Sequence, residues 1–139
     1  MADLPSKKVL TASVAVTMIS AAEEAANKME KPLSIAIVDD GGNLLAFLRM
    51  DGAPLLSVTI AQQKAKSCAG FPIATHELWD FIKDDPMLTV GLPASGQASV
   101  LGGGYPIMVD GQLIGGIGVS GAHYTEDMEA AQAALAKLK

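Results

Sequence analysis

The sequence predicts an α+β fold: an antiparallel sheet of about five strands flanked by helices, in the order α-β-β-α-α-β-β-α. Three observations carry this expectation. Asp39-Asp40-Gly41-Gly42-Asn43 and Asp110-Gly111 each separate two short apolar runs, which is the pattern of a β-hairpin. Stretches with helical apolar spacing open and close the chain. No strand–helix–strand repeat is present to build a parallel sheet. The 139 residues, 50% hydrophobic and 18% charged, fit a single domain over 1–139 and exclude wholesale disorder.

The first helix is expected from Pro5-Ser6, with Ser6 as N-cap, to about Asn27 or Lys28. Leu10, Val14, Met18, Ala21, Ala25 and Met29 share one of its faces. That periodicity outweighs the weak likeness of Lys7-Lys8 and the following apolar residues to a targeting segment, because Thr11, Ser13 and Thr17 interrupt the run. Lys31-Pro32 ends the helix. Leu33–Val38 reads as a strand covered on both faces, and Leu44–Met50 returns beside it. Pro54 suits the first turn of a second helix that runs to Ala69 and stops at Gly70-Phe71-Pro72. Thr75 is the expected cap of a short helix through Lys83, ended by Asp84-Asp85-Pro86. Met87–Gly104 reads as a long irregular segment with room for one more strand. Tyr105–Val109 and Gln112–Val119 form the second hairpin. Thr125 is the expected cap of a closing helix over Glu126–Leu138.

Charge and composition narrow the function classes. A net charge of −5 with no clustered Lys/Arg argues against nucleic acid as a partner. No stretch is long enough to suggest a membrane span. One cysteine, Cys68, allows no internal disulfide and fits a reduced, cytoplasmic setting, and its Ala-rich surroundings point to a buried, inert thiol. The Gly-rich fourth strand and the Ala-rich second helix would leave flat apolar faces, which points to a homo-oligomer.

Several residues offer chemistry. Gly116–Gly121 matches GxGxxG, but the chain ends too soon for the second strand and acidic residue of a dinucleotide site. These glycines, Gly121 among them, instead permit close approach of a helix or ligand. Arg49 and Lys64 are suited to hold a carboxylate, and Lys64 or His123 to move a proton. Gly102, Gly103 and Gly104 offer backbone N–H groups to an anion. Asp39 and Asp40 read as turn residues rather than a catalytic pair, with Asp39 a candidate ligand-binding residue. Asp127 is explained by its place in the first turn of the last helix. His76 and His123 are the only histidines, and neither has a second ligand at metal-binding spacing. A single axial histidine is enough for a haem.

Taken together, spaced motifs resemble one family. Arg49-Met50-Asp51-Gly52-Ala53 matches an RMDGA segment, and Ala61–Ala65 matches A-x-x-K-A on the next helix. Gly103–Ile107, Val109-Asp110-Gly111 and Gly115–Gly121 follow in order, and Asp127 and Ala131 fit the closing helix. The pattern is similar to the GlcG/HbpS-like haem-degrading family and to the C-terminal domain of PduO. The resemblance implies profilin- or PAS-like layering, an oligomer and a small-ligand pocket that takes haem or a related tetrapyrrole, with slow oxidative haem degradation in some members. Family haem binders are expected to carry a histidine near the first helix. This chain has none before His76, so an iron ligand would come from His76, His123, Tyr105 or Tyr124, or the contact would be supplied by an oligomer.

The sequence therefore carries three functional expectations. The first is a haem-binding protein with His76 and His123 as metal ligands. The second is a metal-independent lyase or isomerase acting on a small aromatic or hydroxy acid, with Arg49, Lys64 and His123 as the catalytic set. The third is an interaction module without a ligand.

Overall fold

The computed structural model describes residues 2–139. The first helix, α1 (Ala12–Met29), starts at Thr11, whose hydroxyl oxygen accepts the Val14 N–H. The expected start at Ser6 is corrected by that cap. Residues 2–10 are not helical; Leu10 still enters the core, and Lys7 and Lys8 form ion pairs with Asp40 and Asp110. The N-terminal arm is thus tied to the turns of both hairpins. Glu30 ends α1 in the left-handed region, and Pro32 prevents its continuation.

The sheet holds four strands rather than about five: β1 (Ser34–Asp39), β2 (Leu44–Arg49), β3 (Gly104–Val109) and β4 (Gln112–Ser120). Their order is β2-β1-β4-β3, and every pairing is antiparallel. The central pair joins Ser34 to Ser120 and Asp39 to Gly115. Asp110 and Gly111 both take positive φ, 50° and 76°, as a tight two-residue hairpin turn requires.

Strand alternation divides the side chains between two layers. Ile35, Ile37, Ile117 and Val119 pack against α1 and the last helix in the main core. Ala36 and Val38 face α2 (Leu55–Gly70), which presents Ala61, Ala65 and Ala69. Opposite Ala36 and Val38 on that side, β4 offers Gly118 and Gly116. A Cβ on Gly116 would lie 2.2 Å from the Ala65 carbonyl oxygen, and one on Gly118 would lie 2.0 Å from that of Ala61. The helix backbone therefore rests directly on the strand backbone. The two flat faces that pointed to self-association instead cover one another.

The segment expected to be irregular, with room for a strand, contains a helix. After α3 (Thr75–Ile82), Asp85 caps α4 (Pro86–Ala94) by accepting the Met87 and Leu88 N–H groups, with Pro86 in the first turn. None of the nine residues of α4 is buried. Two expected caps are also corrected. Ala74 occupies the N-cap of α3, and Thr75 is its first residue, with its Oγ1 accepting the Gly104 N–H at 2.9 Å. His123, not Thr125, caps α5 (Tyr124–Leu135). A short 3-10 turn, Ala136–Leu138, follows α5.

Candidate functional site

A cleft of about 510 Å³ opens where α3, residues 100–102 and the first turns of α5 meet. That volume is in the range of small-molecule and cofactor sites. Its walls are His76, Trp79 and Asp80 from α3, Val100–Gly102, and Tyr124, Thr125 and Met128 from α5. In a chain that is 4% aromatic, three ring-bearing side chains converge here. Gly102 keeps the floor open, since a Cβ there would lie 2.9 Å from Met128 Sδ and 3.2 Å from Tyr124.

His76 is the chemical centre of the cleft. Its Nδ1 is buried and has no hydrogen-bond partner. Its ring lies 5.7 Å, centroid to centroid, from that of Tyr105, whose hydroxyl is likewise buried and unpartnered. Burial pushes the Tyr105 phenol above its ordinary pKa, so it remains a neutral donor. An unsatisfied buried polar group costs about 1–3 kcal/mol.

Behind the cleft lies a buried ion pair. Lys64 on α2 is 2% exposed; its ammonium donates to the Val119 carbonyl at 2.7 Å and to Asp127 Oδ2 at 3.2 Å. The Ala122 N–H donates to Asp127 Oδ1 at 3.0 Å. Burial outweighs the mutual attraction for each partner: it pushes the Asp127 carboxyl up and the Lys64 ammonium down. Gly103, at φ +122°, makes room for this pair, because a Cβ there would sit 2.8 Å from Lys64 Nζ. The pair thus joins α2, β4 and α5 next to the residues that shape the cleft. Asp127 is more than a surface charge at a helix end, and its partner lies too far away in sequence to be paired with it by local spacing.

The remaining expected site residues are dispersed. Arg49 closes the chain after β2 by donating to the Ala53 carbonyl from Nε and Nη2, at 3.1 and 2.8 Å. Asp39 stabilises the first hairpin turn; it accepts the Asn43 and Gly41 N–H groups, which hold its carboxyl below the usual range. The His123 ring accepts the Thr125 N–H, the Glu126 carboxylate accepts the His123 N–H, and the His123 and Tyr124 rings lie 4.2 Å apart. Gly104 begins β3 against Thr75, and Gly121 approaches Pro32. The cleft walls include His76, Gly102 and Tyr124, but none of Arg49, Lys64 or His123. Trp79 and Met128 are wall residues that carried no motif in the sequence. Among the described residues no cluster of three or more His, Cys, Asp or Glu is arranged to hold a bare metal ion.

Cys68 is buried, and burial raises its thiol to about 12. A thiol-specific reagent at neutral pH is expected to label it only in denaturant; rapid labelling of the folded protein would contradict this placement.

A four-stranded antiparallel sheet between helical layers, with an aromatic cleft at one edge, defines a small-ligand-binding α+β domain. The sequence profile described as haem degrading protein HbpS-like matches residues 10–136, and the chain belongs to that family. The chain is 39% identical over 120 residues to corrinoid adenosyltransferase PduO of Salmonella typhimurium, covering 85% of this chain and 35% of that protein. It therefore spans about a third of that relative's length. Protein GlcG of Escherichia coli is 36% identical over 117 residues, 84% of this chain and 85% of GlcG. The crystal structure of the PduOC:heme complex superposes with a TM-score of 0.88 at 35% identity, covering 95% of this chain and 96% of that one. No described helix is long and apolar enough to cross a membrane.

Proposed function

We propose that this protein binds haem in the α3–α5 cleft, with His76 as the iron ligand. The observation that carries this reading is the His76 imidazole, with no protein partner on its Nδ1, in the wall of an open, largely apolar cleft. The residues present fit the group. Trp79 and Tyr124 offer flat faces to a macrocycle, and Gly102 leaves the floor clear. Met128 would add a polarisable thioether to the wall against the macrocycle. No lysine or arginine lines the cleft, so the propionates would remain at its mouth, in water. Bound there, haem would supply a redox-active iron. The chain's own part is to orient the ring, exclude water from one face and present the imidazole. The family membership and the haem complex of a relative with the same fold support this reading.

Titration with hemin tests it. A Soret shift should saturate at one hemin per chain, with quenching of the lone tryptophan, Trp79, in the wall. His76→Ala is expected to weaken binding at least about tenfold and to change the ligand-field bands. His123→Ala should leave those bands in place, because its ring already serves as the α5 cap. The opposite result, loss with His123→Ala and retention with His76→Ala, would transfer the iron to His123. A shift that never saturates would remove the site altogether.

A further inference from the structure

A second cleft, of about 730 Å³, lies on the other side of α3, bounded by the β1–β2 turn, the end of α2 and α4. Helix α3 acts as a partition. His76, Trp79 and Asp80 face the first cleft, whereas Leu78, Phe81 and Ile82 face the second. Leu88 and Leu92 of α4, one helical turn apart, form the facing wall. This accounts for an otherwise puzzling element: α4 carries no charged residue and buries none of its side chains. A helix of that composition is stabilised by apolar contact, and the cleft is where such contact can be supplied.

The polar rim is sparse and asymmetric. Two charged residues line it, Asp40 and Lys66. The Asp40 carboxylate is taken by Lys7, whereas Lys66 has no carboxylate within 4.0 Å among the described residues. One uncompensated ammonium therefore stands at the edge of an aliphatic trough.

We propose that this second cleft is a ligand site for a medium-chain alkyl monocarboxylate. The tail lies between the Leu78/Ile82 and Leu88/Leu92 pairs, and the carboxylate meets Lys66. An apolar tail matches the walls, and a single negative charge matches the single free cation. The site is separate from the haem cleft and does not depend on haem binding.

A 1H–15N NMR titration with octanoate, with octanamide as the uncharged control of equal length, tests the proposal. Octanoate should produce saturable shifts at the amides of Gly42, Gly70 and Gln97 and leave those of Gly102 and Thr125 unmoved. Octanamide should bind about tenfold more weakly, as should octanoate to the Lys66→Glu variant. Lys66 is exposed, so that variant retains the fold. Leu92→Gln should weaken both ligands alike. Equal midpoints for acid and amide, or no response to Lys66→Glu, would overturn the proposal. So would shifts centred on Gly102 and Thr125. Shifts at the same amides that follow protein concentration without ligand would show a second copy seated there, and would overturn it equally.

Discussion

Asp127→Ala is expected to destabilise the protein by about 3–5 kcal/mol, the cost of leaving a buried charge without its partner. Lys64 would keep only the Val119 carbonyl in a site where 2% of the residue reaches solvent, and the Ala122 N–H would lose its acceptor. Domain stabilities are about 5–15 kcal/mol, so this is a large fraction of the whole. Equilibrium unfolding in urea reads the effect as a lower midpoint with little change in slope. The double variant Lys64→Met with Asp127→Leu should recover most of the loss, because an apolar pair of similar volume needs no charge compensation. A single-variant loss below about 1 kcal/mol would mean that water reaches the pair and that its burial is overstated.

Gly118→Ala should be as damaging for a steric reason. The new methyl would sit 2.0 Å from the Ala61 carbonyl oxygen and 2.6 Å from the Ala65 nitrogen. Both are helix backbone, so no side-chain rotation relieves the clash and α2 must lift from β4. The expected loss is about 3 kcal/mol or more, at or beyond the upper end of ordinary overpacking. Gly91→Ala in α4 is the matched control. A Cβ there meets nothing within 4 Å, and alanine is the better helix former. Thermal unfolding should show a lower Tm for the first variant and an unchanged or slightly higher one for the second. A Gly118→Ala variant of unchanged Tm would show that the helix and strand are not in backbone contact.

The strands and both hairpin turns were legible because their signals are local: β-branched apolar runs closed by Asp-Gly and Asp–Asn turns. Helix α4 departs from the expected irregular segment although the sequence carries its signal. Asp85-Pro86 reads as a stop for the preceding helix, yet it is also the N-cap and first residue of the next. The start of α1 was misplaced because Leu10 fits the apolar face and is buried while lying outside the helix. Among the cleft walls, His76, Gly102 and Tyr124 carry a signal of residue type or motif. Trp79 and Met128 do not, because an apolar cleft wall has the same sequence signature as core. The Lys64–Asp127 contact joins α2 to α5, far apart in the sequence, and no period or spacing encodes it.

The strand order has a consequence for biosynthesis. The central partners of the sheet, β1 and β4, lie far apart in the sequence, with Ser34 pairing to Ser120. A ribosome working at about 5–20 residues per second releases the second on the order of ten seconds after the first. Throughout that interval the run Leu33–Val38, fully buried in the finished protein, has only one strand partner, β2, and its other edge is unpaired. The nascent chain thus holds an adhesive edge in waiting until β4 appears. A ribosome stalled before Gln112 should display a hairpin that holdase chaperones capture, and one stalled well past the end of α5 should not.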